Sequence, residues 1–161
     1  MFRALRLGYL IAPAPLHARI AAVQEAVGGL ASLVPQAALA DFMAGGMFSQ
    51  HVRRMRRLYQ ERRQTLLQLF DGGRDGPLAG LLEPLPSDAG LHATALLSGD
   101  LARRMTDTEA VERARAAGIA TQPLSTHYTG PDARHGLLLG FACAPPDALI
   151  EAGHRLATAL R

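Results

Sequence analysis

The sequence predicts an α/β protein in which one long helix separates two differently composed halves. Three observations lead to this prediction. The stretch 45–70 carries apolar residues at helical spacing, the part that follows alternates short apolar runs with a well-marked helix start, and 48% of the 161 residues are hydrophobic. A chain of this length and composition can bury one substantial core or two small ones.

The long helix is predicted from about Phe48 to Phe70. Residues spaced alternately by four and three form one stripe, which is typical of a helix with one packed face. At about 1.5 Å per residue the helix would be about 34 Å long, enough to cross a small domain. The stripe is apolar except for Arg62 and consists of Phe48, Val52, Met55, Tyr59, Arg62, Leu66 and Leu69.

The other face of this helix is rich in arginine. One interpretation is a surface for nucleic acid or an acidic partner. We favour a solvated face, because arginine stems cover apolar surface while their charged groups stay in water. The formal net charge of +3 and the absence of tryptophan also argue against a nucleic-acid-binding function. The arginines concerned are Arg53, Arg54, Arg56, Arg57 and Arg63.

The chain before the long helix predicts a strand and two helices. Leu5–Ala12 is short and apolar and is bounded by proline, which favours a buried strand in which the charged Arg6 needs a partner. A helix then opens at Pro15 and ends at Gly28-Gly29, with Leu16, Ile20, Val23 and Val27 on one face. A second helix is expected from Pro35 to Gly45-Gly46.

The chain after the long helix predicts a small α/β layer. The segment Asp71–Pro77 is turn-rich and is the best candidate for a domain boundary. Thr106 and Glu109 match a capping box at a helix start. The expected elements are strands at Leu81–Leu85 and Leu91–Leu97, a helix from the capping box to Gly118, a strand at Ile119–Gln122, a loop at Pro123–Arg134, a buried strand at Gly136–Ala142 and a last helix opening at Pro145-Pro146.

Several chemistries are disfavoured by residue type. All seventeen basic residues other than histidine are arginine, so no side-chain amine is present to form a Schiff base. The six histidines show no metal-ligand spacing, and no GxSxG motif occurs. The single Cys143 excludes an internal disulfide and is expected to be a small buried thiol. We expect no catalytic site and no metal site in this chain. We also expect no membrane partner and a cytoplasmic location.

Four blocks in order resemble the C-terminal part of MocR-type regulators. They are LRLGYLIAP at Leu5–Pro13, the run Gln36–Leu66, AGLHATALL at Ala89–Leu97, and TQPLSTHY followed by GLLLGFA. The resemblance implies a protein that joins a winged-helix module of the GntR type to a fold type I aminotransferase-like domain that binds pyridoxal phosphate. The fold expected for this chain is then a remnant of the large domain, a long interdomain helix and a small α/β C-terminal domain.

The resemblance also implies roles for particular residues. Arg6 occupies the place of the arginine that grips the cofactor phosphate, and paired guanidinium donors suit phosphate oxygens. An edge-strand or interface salt bridge is the alternative for Arg6. The lysine that attaches the cofactor would fall just before Met1. On the strand where related enzymes often place an arginine for the substrate carboxylate, this chain has Leu137, Leu138 and Leu139. Residues His92, Ser125 and Tyr128 lie in the matching blocks and are expected to have loop and packing roles.

The expected organisation has three parts. Residues 1–35 would be the remnant of the large domain, residues 36–70 the interdomain helices, and residues 71–161 the small domain. The chain is expected to be inactive alone, to associate with itself or with the missing large domain, and to reach DNA only through an absent winged helix. The alternatives are a C-terminal fragment of a genuine aminotransferase of the aminoadipate or kynurenine type, and a stand-alone basic binding module.

Overall fold

The computed structural model describes residues 7–28, 31–87 and 90–161. The chain divides into an N-terminal unit, Met1–Arg54, and a C-terminal unit, Met55–Arg161. The described part of the N-terminal unit contains helix α1 (Ala14–Ala26), helix α2 (Leu33–Ala44) and the beginning of helix α3 (Met47–Gln68). The remainder of α3 and everything after it belong to the C-terminal unit.

Helices α1 and α2 confirm the two helices expected before the long one. Pro15 stands in the first turn of α1, where its missing N–H removes no hydrogen bond, and Gly28 follows the helix at a φ of +65°. Helix α2 begins at Leu33, ahead of the expected start at Pro35, because Pro35 is tolerated inside a first helical turn. Neither helix contains a buried residue.

The predicted buried strand at Leu5–Ala12 is wrong in its described part. Residues 7–13 adopt no regular structure, and Tyr9 and Ile11 are 76% and 85% exposed. A strand is held by hydrogen bonds to a neighbouring strand. The N-terminal unit offers no such neighbour among its described residues, so apolar composition alone does not produce a strand here.

Helix α3 confirms the predicted long helix. It starts directly after Gly46, whose φ is +73°, and ends two residues before the expected Phe70. Leu66 and Leu69 of the predicted stripe are buried, and its other residues are partly buried. Arg53, Arg54, Arg56 and Arg57 on the other face are exposed, whereas Arg63, expected to share that solvated face, is half-buried. The helical periodicity therefore predicted both the helix and its packed face.

A tight turn follows α3. The Asp71 carboxylate accepts a hydrogen bond from the Gly73 amide at 3.0 Å at the start of a short 3₁₀ helix, Gly72–Arg74. The Leu78 amide then donates to the Leu69 carbonyl at 2.9 Å, so the chain turns back on the end of α3. Gly76 permits this close approach, because a Cβ there would lie 2.6 Å from the Leu69 carbonyl oxygen.

A four-stranded antiparallel sheet forms the centre of the C-terminal unit. Its order is β1-β2-β4-β3. The hairpin of β1 and β2 and the buried strand β4 confirm the sequence prediction, whereas the strand expected at Ile119–Gln122 is shorter and starts at Gln122. The strands are β1 (Leu82–Pro84), β2 (His92–Leu97), β3 (Gln122–Pro123) and β4 (Gly136–Gly140).

Three helices complete this unit: α4 (Gly99–Arg104), α5 (Asp107–Ala116) and α6 (Pro146–Leu160). The start of α5 confirms the predicted capping box, since the Thr106 side chain accepts from the Glu109 amide while the Glu109 carboxylate accepts from the Thr106 amide. Helix α4 is absent from the sequence prediction. It is capped by the Ser98 hydroxyl, which accepts a hydrogen bond from the Leu101 amide.

The core lies on one face of the sheet. Ala93, Ala95 and Leu97 of β2 alternate into it, as do Leu137 and Leu139 of β4. Side chains from the end of α3 and from α6 join them around a small cavity of about 60 Å³. Helix α6 packs closely there, because a Cβ on Gly153 would lie 2.6 Å from Leu69 Cδ1. The other face of the sheet, which we call the open face, carries the alternate residues.

Candidate functional site

The open face of the sheet is lined by cross-strand neighbours. Thr94 of β2 and Gln122 of β3 both stand opposite Leu138 of β4. His92 stands opposite Gly140, and its ring lies 3.4 Å from the place a Cβ on that glycine would occupy. Leu96 of β2 and Glu83 of β1 stand opposite each other on the same face. Among the described strand residues this face therefore offers an imidazole, a hydroxyl, an amide, a carboxylate and apolar side chains, but no arginine.

A buried carboxylate lies beside this sheet. The capping box places Asp107 at the first position of α5, where its side chain is 0% exposed. Oδ2 of Asp107 accepts from the Ser125 amide at 2.8 Å and from the Gly136 amide at 3.2 Å. Oδ1 accepts from the Ser125 hydroxyl at 2.8 Å and lies 3.0 Å from Nδ1 of His135. We call these four residues the Asp107 cluster.

The surroundings of Asp107 favour its ionised form. Burial alone would raise the pKa of the Asp107 carboxyl, but hydrogen bonds from His135, Ser125 and Gly136 outweigh burial and hold the pKa below its ordinary value. The start of a helix also favours a negative charge at this position. With four groups directed at its two oxygens, the carboxylate meets the usual requirement that a buried charge be fully hydrogen-bonded.

The Asp107 cluster contains the three residue types of a nucleophilic triad in the wrong order. In a triad the histidine lies between the hydroxyl and the carboxylate and removes the hydroxyl proton. Here the Ser125 hydroxyl donates directly to Asp107, and His135 also contacts Asp107, so no imidazole lies beside the hydroxyl to take its proton. The cluster instead ties the start of α5 to the 3₁₀ turn Ser125–His127 and to the start of β4.

The residues singled out in the sequence fall in different places. Arg6, the predicted phosphate contact, lies outside the described residues. On β4, Leu137 and Leu139 face the core, and Leu138 alone of the three leucines faces the open side. His92 lies on the open face, Ser125 joins the Asp107 cluster, and Tyr128 follows the 3₁₀ turn with 39% exposure.

Two arginines of α3 reach loops at one end of the sheet. Arg62 Nη1 donates to the carbonyl of Ala142, just after β4, and Arg63 Nη2 donates to the carbonyl of Ser87, between β1 and β2. Arg62 Nε is buried and has no hydrogen-bond partner among the described residues. The charged member of the apolar stripe thus holds a loop, which explains why it is tolerated there.

The prediction of a buried Cys143 is wrong. Strand β4 ends at Gly140, and Cys143 lies in the following loop, where it is exposed. Within residues 7–28, 31–87 and 90–161, no three His, Cys, Asp or Glu side chains are grouped so that they could hold a metal ion. None of the helices described is long and apolar enough to cross a membrane.

Sequence similarity relates the chain to bacterial transcription regulators. No protein-family model matches it. It is 33% identical over 159 residues to the probable rhizopine catabolism regulatory protein MocR of Rhizobium meliloti, covering 99% of this chain and 31% of that protein. It is 31% identical over 142 residues to the pyridoxine biosynthesis regulator PdxR of Corynebacterium glutamicum, covering 88% of this chain and 29% of that protein. The chain spans about a third of the length of these relatives.

Structural similarity points to aminotransferases. The fold matches a multiple substrate aminotransferase from Thermococcus profundus with a TM-score of 0.78 at 19% identity, covering 92% of this chain and 35% of that one. It matches the kynurenine aminotransferase of Pyrococcus horikoshii with a TM-score of 0.75 at 18% identity, covering 91% of this chain and 34% of that one. The fold of this chain is therefore that of the C-terminal portion of a fold type I aminotransferase.

Proposed function

Since the chain is similar along nearly its whole length to the C-terminal part of MocR-type transcriptional regulators, we propose that it is the aminotransferase-like effector portion of such a regulator. The observation that carries the proposal is the pairing of 33% identity to MocR with an aminotransferase fold. Several relatives are named as HTH-type regulators. In the complete protein, DNA binding would belong to a winged-helix module outside this chain, and the protein would be cytoplasmic.

The described residues do not by themselves fit pyridoxal phosphate, the cofactor expected from the resemblance. The chain has no lysine to attach it. The open face has no arginine among its described strand residues and carries Glu83, so neither a phosphate nor a substrate carboxylate would meet a guanidinium there. We therefore propose that this chain is not catalytic alone and that the cofactor site is completed by residues outside it.

Arg6 is the residue that this chain would contribute to the completed site. Its guanidinium offers paired donors that match phosphate oxygens and stays charged when partly buried. Residues 1–35 would then belong to a large cofactor domain, residues 36–70 would connect the domains, and residues 71–161 would form the small domain. Leu138 on the open face supports a regulator over a transaminase, because an apolar side chain there cannot pair with a substrate carboxylate.

The first test is the DNA that precedes the Met1 codon. We expect the reading frame to continue upstream through a lysine just before Met1, a large domain and a winged helix. A large domain without a winged helix would instead support the fragment of a genuine aminotransferase. A stop codon and a ribosome-binding site directly before Met1 would contradict both and favour a stand-alone module.

The second test concerns the cofactor. The 161-residue chain, treated with pyridoxal phosphate and borohydride, should carry no adduct on any side chain when peptides are examined by mass spectrometry. In the extended protein the upstream lysine should carry the adduct. Arg6→Gln should weaken cofactor binding there by about tenfold or more, since it removes a charge-assisted phosphate contact. Arg19→Gln, an exposed change on α1, is the matched control. Equal binding by both variants would remove Arg6 from the proposed site.

A further inference from the structure

An open groove runs between α5 and α6 on the side turned away from the sheet. These helices direct Ala110, Val111 and Ala114 of α5 and Leu149, Leu156 and Leu160 of α6 into the core. The groove lies between their outward surfaces and has a volume of about 570 Å³. We call it the α5–α6 groove. It is lined by Arg113, Ala116, Ala117, His154, Arg155, Thr158 and Ala159.

The floor and the rim of the groove differ in chemistry. Three alanines leave the floor shallow and apolar, so that another chain could approach the helix backbones closely. Arg113, His154 and Arg155 on the rim are exposed. No acidic residue is among the lining residues in the described part of the chain. A surface with an apolar floor and a cationic rim complements a partner that carries apolar side chains flanked by carboxylates.

The guanidinium groups of the two rim arginines make no hydrogen bond within the described residues. Arg113 attracts the Glu109 carboxylate electrostatically, but the hydrogen bonds of that exposed carboxylate go to Thr106 in the capping box. Glu112 pairs with Arg115 at 2.9 Å. Arg155 has only a long contact of 3.9 Å with Glu151, and both side chains are at least half exposed. A surface pair of this kind contributes little and is easily replaced.

Arg155 is also not needed to cap α5. Its Nη1 lies 3.6 Å from the place a Cβ on Gly118 would occupy, directly beside the end of that helix. Three carbonyls in the last turn of α5 are already satisfied, because those of Arg113, Ala114 and Arg115 accept hydrogen bonds from the amides of residues 117, 119 and 118 respectively. The guanidinium therefore stands at the groove with its donors available.

From these observations we infer that the α5–α6 groove is a docking surface for an acidic, partly apolar segment of a partner protein. Its carboxylates pair with Arg113 and Arg155, and its apolar side chains cover Ala116, Ala117 and Ala159. The groove faces away from the sheet, so its occupation leaves the open face and the Asp107 cluster unobstructed. This surface is independent of the proposed function, because no part of a cofactor site contributes to it.

The probe is a fluorescent helical peptide rich in glutamate and alanine, with a twin in which glutamine replaces glutamate. The glutamate peptide should bind the full chain at low salt. The protein's backbone amide signals that shift in NMR spectra on binding should be those of residues 113–118 and 154–159. Arg113→Gln with Arg155→Gln should weaken binding by about tenfold or more, because it removes both rim charges. Arg56→Gln with Arg57→Gln removes the same charge from an exposed face of α3 and should leave binding unchanged.

Three results would overturn the inference. If the glutamine peptide binds as tightly as the glutamate peptide, apolar contact alone accounts for binding and the rim arginines do not select carboxylates. An equal loss in both double variants would make the attraction a property of net charge. A short DNA duplex that binds more tightly than the peptide, displaces it and shifts the same amide signals would assign the groove to nucleic acid. The substituted residues are exposed, so both variants are expected to fold, and the amide map of the unsubstituted chain tests the site without them.

Discussion

Helices α1 and α2 in the N-terminal unit contain no buried residue, whereas α5 and α6 in the C-terminal unit bury four and five. The difference is not one of apolar content. The sequence of α2, LVPQAALADFMA, is more apolar than that of α5, DTEAVERARA. Helix α5 has a sheet to pack against, and an apolar helix without a partner exposes its side chains whatever its composition. Burial is therefore set by available partners, and substitutions in the two units can test that view.

The largest expected effect is in the core of the C-terminal unit. Leu137 on β4 is 0% exposed, so Leu137→Ala removes buried methyl groups and leaves a cavity. We expect the free energy of unfolding to fall by about 2–5 kcal/mol, measured by urea unfolding followed by circular dichroism. The matched change in the N-terminal unit is Val34→Ala, where the side chain is 78% exposed and the loss should stay within about 0.5 kcal/mol. Similar losses at both positions would remove the contrast between the units.

The next effect concerns the Asp107 cluster. Asp107→Asn keeps the size of the side chain but turns an amide N–H₂ toward donors that now have no acceptor. We expect a loss of about 2–3 kcal/mol of unfolding free energy, the cost of leaving buried donors unsatisfied. Asp100→Asn is the control, because that carboxylate is 83% exposed and its ion pair with Arg103 lies at the surface. A loss of unfolding free energy as small as that of the control would mean that water molecules accept the hydrogen bonds of these donors in place of Asp107.

The Asp107 cluster shows where sequence reasoning stops. The capping box was readable because Thr106 and Glu109 are three residues apart and their hydrogen bonds are local. The cluster joins Asp107 to residues 18, 28 and 29 positions away, and nothing local marks Asp107 as their common partner. Helix α4 did carry a local signal in Ser98, but six residues are too few to show a helical period.

Two further errors have the same origin. The sequence predicts that the apolar run Leu5–Ala12 and the thiol of Cys143 are buried. Tyr9, Leu10 and Ile11 are exposed, because no strand lies beside them among the described residues. Cys143 is exposed because it lies past the end of β4. The strands β2 and β4 were predicted well because each occurs in a sheet that pairs it along its length. Local pattern predicts the elements, and the partners that decide their burial lie elsewhere in the chain.

The pH dependence of stability should report on Asp107 as well. Its pKa is lower in the folded chain than its ordinary value, so the ionised form stabilises the fold. That stabilisation is complete above the pKa of the unfolded chain and is lost as the pH falls through the folded value. We expect the unfolding free energy to drop on acidification below the ordinary carboxyl range, and the drop should be shallower in Asp107→Asn than in Asp100→Asn. Parallel curves for the two variants would show that other carboxyls dominate.

The smallest effect on stability is expected where the N-terminal unit exposes neighbouring apolar side chains. Leu33 and Val34 are 80% and 78% exposed, so Leu33→Ser with Val34→Ser removes no core contact and should change the unfolding free energy by no more than about 0.5 kcal/mol. The same change should reduce self-association in sedimentation experiments and the binding of a dye for apolar surface. Contiguous exposed apolar residues are the ones that recruit a covering surface. Ile150→Ser on α6 is the control, since Ile150 is 45% exposed in the unit that already has its core, and association should not respond to it. If the double variant instead unfolds more easily while association stays constant, α2 has a packing partner within the chain, and the lack of a partner does not account for the difference between the two units.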